Sequence, residues 1–356
     1  MSEAEVTRDG QRGVRPDREA MTGVHAGRRG RRRGRRGEQP MVPDAEFSSY
    51  YGKAIINRPV WSATPDIPGY LFLGGLAGAS SVLALGADLT GRPALARAAK
   101  AGSFGAISLG LATLVHDLGR PARFFNMMRV FKVTSPMSVG SWLLAAFVPA
   151  AGVAAGAALT GRVPRIGTAA TAGAALLGPG VTSYTAALIC DTAVPAWHEG
   201  FREMPFVFVG SGATAAGGLA LIAAPPAETA PARNLAILGV ITELAASSQL
   251  KKRIGMVAEP YKTGRPGAFL RAGQVLSVLG AAGSVAGRRS RLASALSGAA
   301  FLAASAATRW GIFTAGLASA DDPKYTVVPQ RERLAARERA AREREAAAAS
   351  SPGGGR

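Results

Sequence analysis

Cysteine is nearly absent from this chain of 356 residues, where Cys190 stands alone. A disulfide scaffold is thereby excluded, since a bridge needs two thiols. Protein-ligated iron–sulfur clusters and tetrahedral zinc sites fall on the same ground, because they draw on several Cys or His ligands. Histidine is almost as scarce, with three in all. His25 lies in the N-terminal tail, which leaves His116 and His198 for any haem. Both fall at the same ends of their expected helices, so a ligand pair could form at one face only and no stacked pair of haems is available. Any redox role must borrow its metal chemistry from elsewhere.

What is present pulls in two directions. Mean hydropathy is positive with 48% hydrophobic residues, yet the formal net charge is +19 and the pI about 11.2. Segregation reconciles the two. Residues 1–45 form a tail rich in Arg, Gly, Asp, Glu and Pro, and Gly27–Gly37 is wholly Arg and Gly. Such a stretch cannot bury enough surface to fold alone and is expected to be disordered. No apolar run follows its basic stretch directly, as a secretory signal would require. Aromatic interleaving is lacking too, so single-stranded nucleic acid is not the expected partner. Attraction to anionic lipid or to a partner subunit accounts for the arginines more simply. Near the other end, Arg331–Arg339 continues as a charged, Ala-rich helix to about Ala349, supported by opposite charges at helical spacing. The chain therefore divides into a tail (1–45), a central domain (46–320) and a charged C-terminal segment (321–356).

The central domain is where the apolar residues gather. Charge-free runs cover 67–87, 101–116, 133–161, 166–190, 204–227, 272–287 and 292–308, and 234–250 is broken only by Glu243. A helix needs about 20 predominantly apolar residues to cross a bilayer. Most runs reach that length with their flanks, and Lys100 and Arg271 can snorkel at the ends of the two short ones. Soluble domains rarely carry so many such runs, so the fold class expected is an all-α integral membrane protein with eight transmembrane helices. The runs are poor in Leu and rich in Ala, Gly, Ser and Thr, which lets helices approach closely where lipid supplies no hydrophobic drive between them. Eight spans put both termini on one side. Positive residues in the loops are nearly balanced between the two sides, and the arginines of the tails place the termini in the cytoplasm.

Ionisable groups at membrane depth are expensive and are candidates for function. Glu243 sits mid-span, suited either to proton transfer or to a structural ion pair with Arg309 of the eighth run. His116-Asp117 ends the second run. The histidine beside a carboxylate can exchange protons near neutral pH, or the two can simply cap the helix, with Asp117 paired to Arg120. The following loop, Ala122–Lys132, has the apolar and basic pattern of an interfacial amphipathic helix. Gly178-Pro179-Gly180 interrupts the fourth run; freed carbonyls there either line a cavity served by Tyr184 and Thr185, or are re-satisfied around a tolerated kink. The run leaves through Cys190-Asp191, and Trp197 reads as an interface anchor.

Together these motifs resemble the NrfD family, the membrane subunit of polysulfide-reductase-like complexes, from about Tyr50 to Gln330. Tyr50-Tyr51-Gly52, Pro59-Val60-Trp61 and Tyr70–Gly78 look like that family's first helix. Asp117–Pro121 and Ser135–Trp142 resemble its most recognisable segment, and Tyr184-Thr185, Pro195-Ala196-Trp197 and Ser211-Gly212 fit its fourth and fifth helices. The resemblance implies two four-helix bundles without haem or iron–sulfur cluster, in a bacterial plasma membrane. It implies a quinone (menaquinone or ubiquinone) as bound substrate, a docked ferredoxin-like iron–sulfur subunit, and a molybdopterin-type catalytic subunit beyond it. Carried over by motif, Tyr184 matches the quinone-contacting tyrosine, with Tyr70, His116 and Asp191 as further contacts. Asp117 and Glu243 are the proton-transfer candidates, and Arg120, Arg123 and Trp142 the docking candidates. Quinone chemistry asks for such groups, because two electrons and two protons move together and the carbonyls need hydrogen-bond partners. A rival reading is a proton-coupled secondary transporter, built on the broken fourth helix and Glu243; an inverted repeat between spans one to four and five to eight would favour it, and none is evident.

Overall fold

The computed structural model describes residues 5–7, 10–12, 55–57, 59, 61 and 65–350. The chain divides into two compact units, Pro59–Ala318 and the chain ends Met1–Arg58 with Ser319–Arg356. In the latter, Glu5–Thr7 (β1) pairs antiparallel with Gly10–Arg12 (β2), Glu5 opposite Arg12. The arginine-rich Gly27–Gly37 stretch, with its expected disorder, lies outside the described residues.

Among the described residues everything else is helix and connecting turn. α1 (Asp66–Leu89), α2 (Pro93–Asp117), α3 (Pro136–Thr160) and α4 (Pro164–Cys190) lead into the single turn Pro195–His198. α5 (Met204–Ala223), α6 (Ala230–Arg253), α7 (Gly264–Ala286), α8 (Arg291–Asp321) and the charged α9 (Lys324–Ser350) follow. The loops after α2 and α6 contain the 310 turns Pro121–Met128 and Gly255–Tyr261. The helix starts follow local chemistry. α2 to α6 each carry a proline in the first two positions, where a missing N–H costs nothing and the fixed φ suits the helix. Ser135 adds a side-chain cap ahead of Pro136, and Gly161 closes α3 at φ +69°, a left-handed geometry that glycine adopts without strain.

Among the described residues six helices are long and apolar enough to cross a membrane: α1, α2, α3, α4, α5 and α7. α6 and α8 match them in length but are less apolar, since α6 carries Arg233, Glu243 and a basic last turn and α8 carries Arg309. α1 and α5 are largely enclosed by other helices, whereas α2, α3 and α7 turn most of their apolar surface outward. Exposed Leu109, Leu159, Val275 and Leu279 belong to this outward surface. Apolar area of this extent is stable against hydrocarbon and not against water. The protein is a multi-pass membrane protein.

Small residues set the helix spacing. Gly78 of α1 and Gly178 of α4 face each other so closely that a Cβ on either would collide with the other's carbonyl. Gly178 thus serves the α1–α4 crossing, and α4 runs unbroken through Pro179. Thr182 and Ser183 donate to the carbonyls of Gly178 and Pro179 at 2.9 and 2.8 Å, one turn back, as hydroxyls around a proline in a membrane helix do. α1 also packs on α2 and α5, α3 on α4, and α5 on α6.

Polar clamps close the ends. Lys100 of α2 pairs with Asp88 of α1 at 2.7 Å, and the Glu228 carboxylate accepts from the Leu95 N–H at 2.9 Å. At the other end Arg253 grips Glu203 with two hydrogen bonds, 2.7 and 2.6 Å, joining the last turn of α6 to the start of α5. The Arg253 guanidinium holds the Glu203 carboxyl below the usual carboxylate range. A carboxylate with a depressed value stabilises the fold above its unfolded value, and that contribution is lost as pH falls through the folded one. Thermal unfolding of the parent and Glu203→Gln should therefore differ at neutral pH and converge in acid below the ordinary carboxylate range. A gap that persists there contradicts the assignment.

Candidate functional site

A cavity of about 140 Å³ opens where the N-terminus of α1 meets the ends of α2, α3 and α4. Tyr70 and Leu71 of α1, Leu114 and Asp117 of α2, Ser141 and Leu144 of α3, and Tyr184 and Ile189 of α4 line it, with Trp61 and Met127 at its edges. Helical spacing explains the set: each helix contributes positions three or four apart, which share one face. Tyr70 is buried. The Tyr184 ring occupies the space left by Gly140, where a Cβ would run into it. The lining is mostly apolar, with two phenols, one carboxyl and one hydroxyl.

Asp66, in the first turn of α1 and one turn before Tyr70, is 7% exposed and bonds to His116 Nδ1 at 2.9 Å. The His116 side chain is 79% exposed, so the pair connects the rim of the cavity to its surroundings. Behind the cavity, Trp61 stacks on Trp197 at 6.0 Å between ring centroids, and Trp197 donates to the Ile312 carbonyl at 2.9 Å. Trp197 is fully buried, which replaces the expected interface anchor with a core residue. Its ring lies against Gly316, where no side chain would fit. Tyr261 donates to the Ala196 carbonyl at 2.8 Å, and burial pushes its phenol well above the ordinary value, which keeps it a donor.

A second cavity of about 230 Å³ adjoins the first and shares Leu114, Met127, Ser141 and Leu144 with it. Leu111, Ala145, Val148 and Pro149 continue it along α2 and α3. Its remaining walls come from the 310 turn Pro121–Met128, at Phe124 and Met128. That turn, the counterpart of the expected interfacial helix, has no buried residue and exposes Phe125.

The structure thus gathers Tyr70, Tyr184, Asp117 and, through Asp66, His116. It does not bring Asp191 to the cavity: α4 ends at Cys190, and Asp191 is the exposed residue that follows. His198 turns its Nδ1 to the Cys190 carbonyl at 3.2 Å. Arg120 and Arg123 are exposed on the loop after α2, and Trp142 donates to the Val130 carbonyl at 3.4 Å while 41% exposed. Glu243 lies elsewhere, accepting from Thr308 at 2.6 Å. Arg309 donates to the Phe208 carbonyl at 2.7 Å, so of the two readings of Glu243 the ion pair is present only as a facing charge without a direct contact. Ser141 on the cavity wall and Asp66, one turn ahead of Tyr70, are the groups that sequence reasoning passed over; an acid at a helix start, one turn ahead of a tyrosine, is the signal that marks the second. Among the described residues no three His, Cys, Asp or Glu side chains gather where they could hold a metal ion.

A comparison with curated proteins finds no match. The family model described as polysulphide reductase, NrfD, matches residues 55–246, more than half of the chain. The match takes in all four helices around the cavity, α5 and most of α6, and with that coverage the chain belongs to the NrfD family.

Proposed function

We propose that this chain is the membrane subunit of a quinone-linked oxidoreductase and binds its quinone substrate in the cavity among α1–α4. The observation that carries the reading is the combination of size and lining. Cavities of about 150 Å³ take up one benzene ring, so the 140 Å³ space suits a single quinone ring. Tyr70 and Tyr184 offer hydroxyls to its carbonyls, and the adjoining apolar cavity between α2 and α3 suits an isoprenoid tail, whether of menaquinone or ubiquinone. Asp66 and exposed His116 form a proton route to the rim, with Asp117 on the cavity wall.

In this reading α6 and α8 complete eight spans, arranged as two four-helix bundles, α1–α4 and α5–α8. The exposed Arg120, Arg123 and Trp142 beside the cavity form the docking face for a ferredoxin-like iron–sulfur subunit, with a molybdopterin-type catalytic subunit beyond it. Asp191 is exposed near the same end and belongs to that face. Both termini lie on this side, in the cytoplasm of a bacterium, as the arginine distribution favours. The transporter reading is not favoured by membership of a family of quinone-linked membrane subunits.

Tyr184→Phe removes one hydroxyl and little volume. Loss of one hydrogen bond of about 0.5–1.5 kcal/mol raises the quinone KM roughly two- to tenfold. His116→Ala is expected to slow turnover. Steady-state quinone-linked turnover of the assembled complex is the measurement, and unchanged kinetics in both variants contradict the assignment.

A further inference from the structure

Glu243 takes no part in the quinone site, yet its surroundings are built around it. Thr308 of α8 donates to Oε1, while Oε2 is buried and has no partner. One residue on, Arg309 is fully buried. Its guanidinium lies 3.7 Å over the Phe208 ring and spends one nitrogen on the Phe208 carbonyl; Nε and Nη1 have no partner. A carboxyl oxygen and two guanidinium nitrogens therefore stand unanswered at membrane depth, where such groups are costly.

Beside Glu243 is a small cavity of about 20 Å³. Its polar wall is Glu243, Ser247, Lys251, Tyr261, Gln274 and Thr308. A buried water needs about 10–15 Å³ and two to four polar partners, and both conditions are met. Along α6 the lining steps from Glu243 to Ser247 to Lys251 at helical spacing, a depth of about 12 Å at 1.5 Å per residue. Toward the N-terminus of α6 the surroundings change. Val240 and Ala236 join Leu221 and Phe301 in a dry apolar cluster, and Gly210 and Gly239 bring α5 and α6 into backbone contact. The polar path is open toward Lys251 and sealed below Glu243.

We propose that Glu243 is a proton-binding site, filled and emptied through this hydrated pocket from the Lys251 end only. When the proton leaves, Arg309 supplies the facing positive charge. The charged and titratable groups that face it are Arg309 from α8, Lys251 from its own helix and Tyr261 from the 310 turn, while α5 and α7 present the neutral Ser211 and Gln274. The proposal is independent of the quinone reading, since it concerns α5–α8 and needs no second subunit.

Infrared difference spectroscopy on the full chain in lipid nanodiscs tests it. The expected result is a protonated-carboxyl C=O band that grows on acidification, shifts in D2O, and is lost in Glu243→Gln. Glu243→Asp, which keeps the carboxyl, moves the band instead of removing it, and Ser247→Leu, which fills the pocket, slows its exchange in D2O. A pH-dependent band that survives in Glu243→Gln and is unmoved in Glu243→Asp overturns the proposal. So does a Glu243 band insensitive to both pH and D2O, or exchange that Ser247→Leu leaves unaltered.

Discussion

Asp66→Asn is expected to slow quinone-linked turnover by about 100-fold, the lower end of the range for a positioned acid–base group. Quinone affinity should change little, because the amide keeps the shape of the side chain. Asp66 is a buried acid one turn from Tyr70 and bonded to His116. An amide cannot carry the proton that the carboxylate accepts, so the route between quinone and His116 is cut at its buried link. His116 itself is largely exposed, and water can stand in for part of its role. His116→Ala is thus expected to slow turnover less than Asp66→Asn. Steady-state assays with a short-chain quinol analogue separate the cases. An Asp66→Asn enzyme with normal turnover would remove Asp66 from the proton route.

Ser141→Trp should abolish or severely weaken quinone binding, with the KM raised at least about fivefold. Ser141 lines both cavities at their junction, so an indole there fills the ring site and blocks the passage along α2 and α3. Overpacking costs of about 1–3 kcal/mol translate into tenfold for every 1.4 kcal/mol. The control is Ser141→Ala, which removes only the hydroxyl that bonds to the Met137 carbonyl at 2.9 Å and leaves the space open. Normal quinone affinity in Ser141→Trp would place the ligand elsewhere.

The helices were largely legible because lipid-facing segments must be apolar over a fixed length. The run at 133–161 becomes α3 (Pro136–Thr160) and that at 166–190 becomes α4 (Pro164–Cys190), within a few residues. α2 and α7 begin earlier than their runs, at Pro93 and Gly264. Both add first turns containing arginine, and charge marks an interface as readily as a helix end. α8 continues to Asp321 for a similar reason. Charge at depth is also why α6 and α8 are less apolar than the other six. Within the site, Tyr70, Tyr184 and Asp117 were legible because motifs placed them on α1, α4 and α2. Asp191 is a quinone contact by the resemblance and by its place at the end of the fourth run, but α4 ends one residue earlier and the direction of a side chain after a helix end has no period to betray it. Asp66 was not legible because it lies one residue ahead of the charge-free run 67–87, at the start of α1, where an acid reads as an ordinary helix-start residue. The Gly-Pro-Gly segment carried two readings; the structure uses Gly178 for close packing against Gly78, a contact between distant segments that a single sequence does not encode visibly.

Photoaffinity labelling with an azido-quinone, in native membranes containing the full chain, tests the central claim most directly. Label mapped by mass spectrometry should concentrate on Ile67–Leu71, Leu114–Leu118 and Tyr184–Ile189, the walls of the α1–α4 cavity, and should fall when Ser141→Trp fills it. Label that collects on α5–α8, or that persists undiminished in Ser141→Trp, would contradict a quinone site among α1–α4.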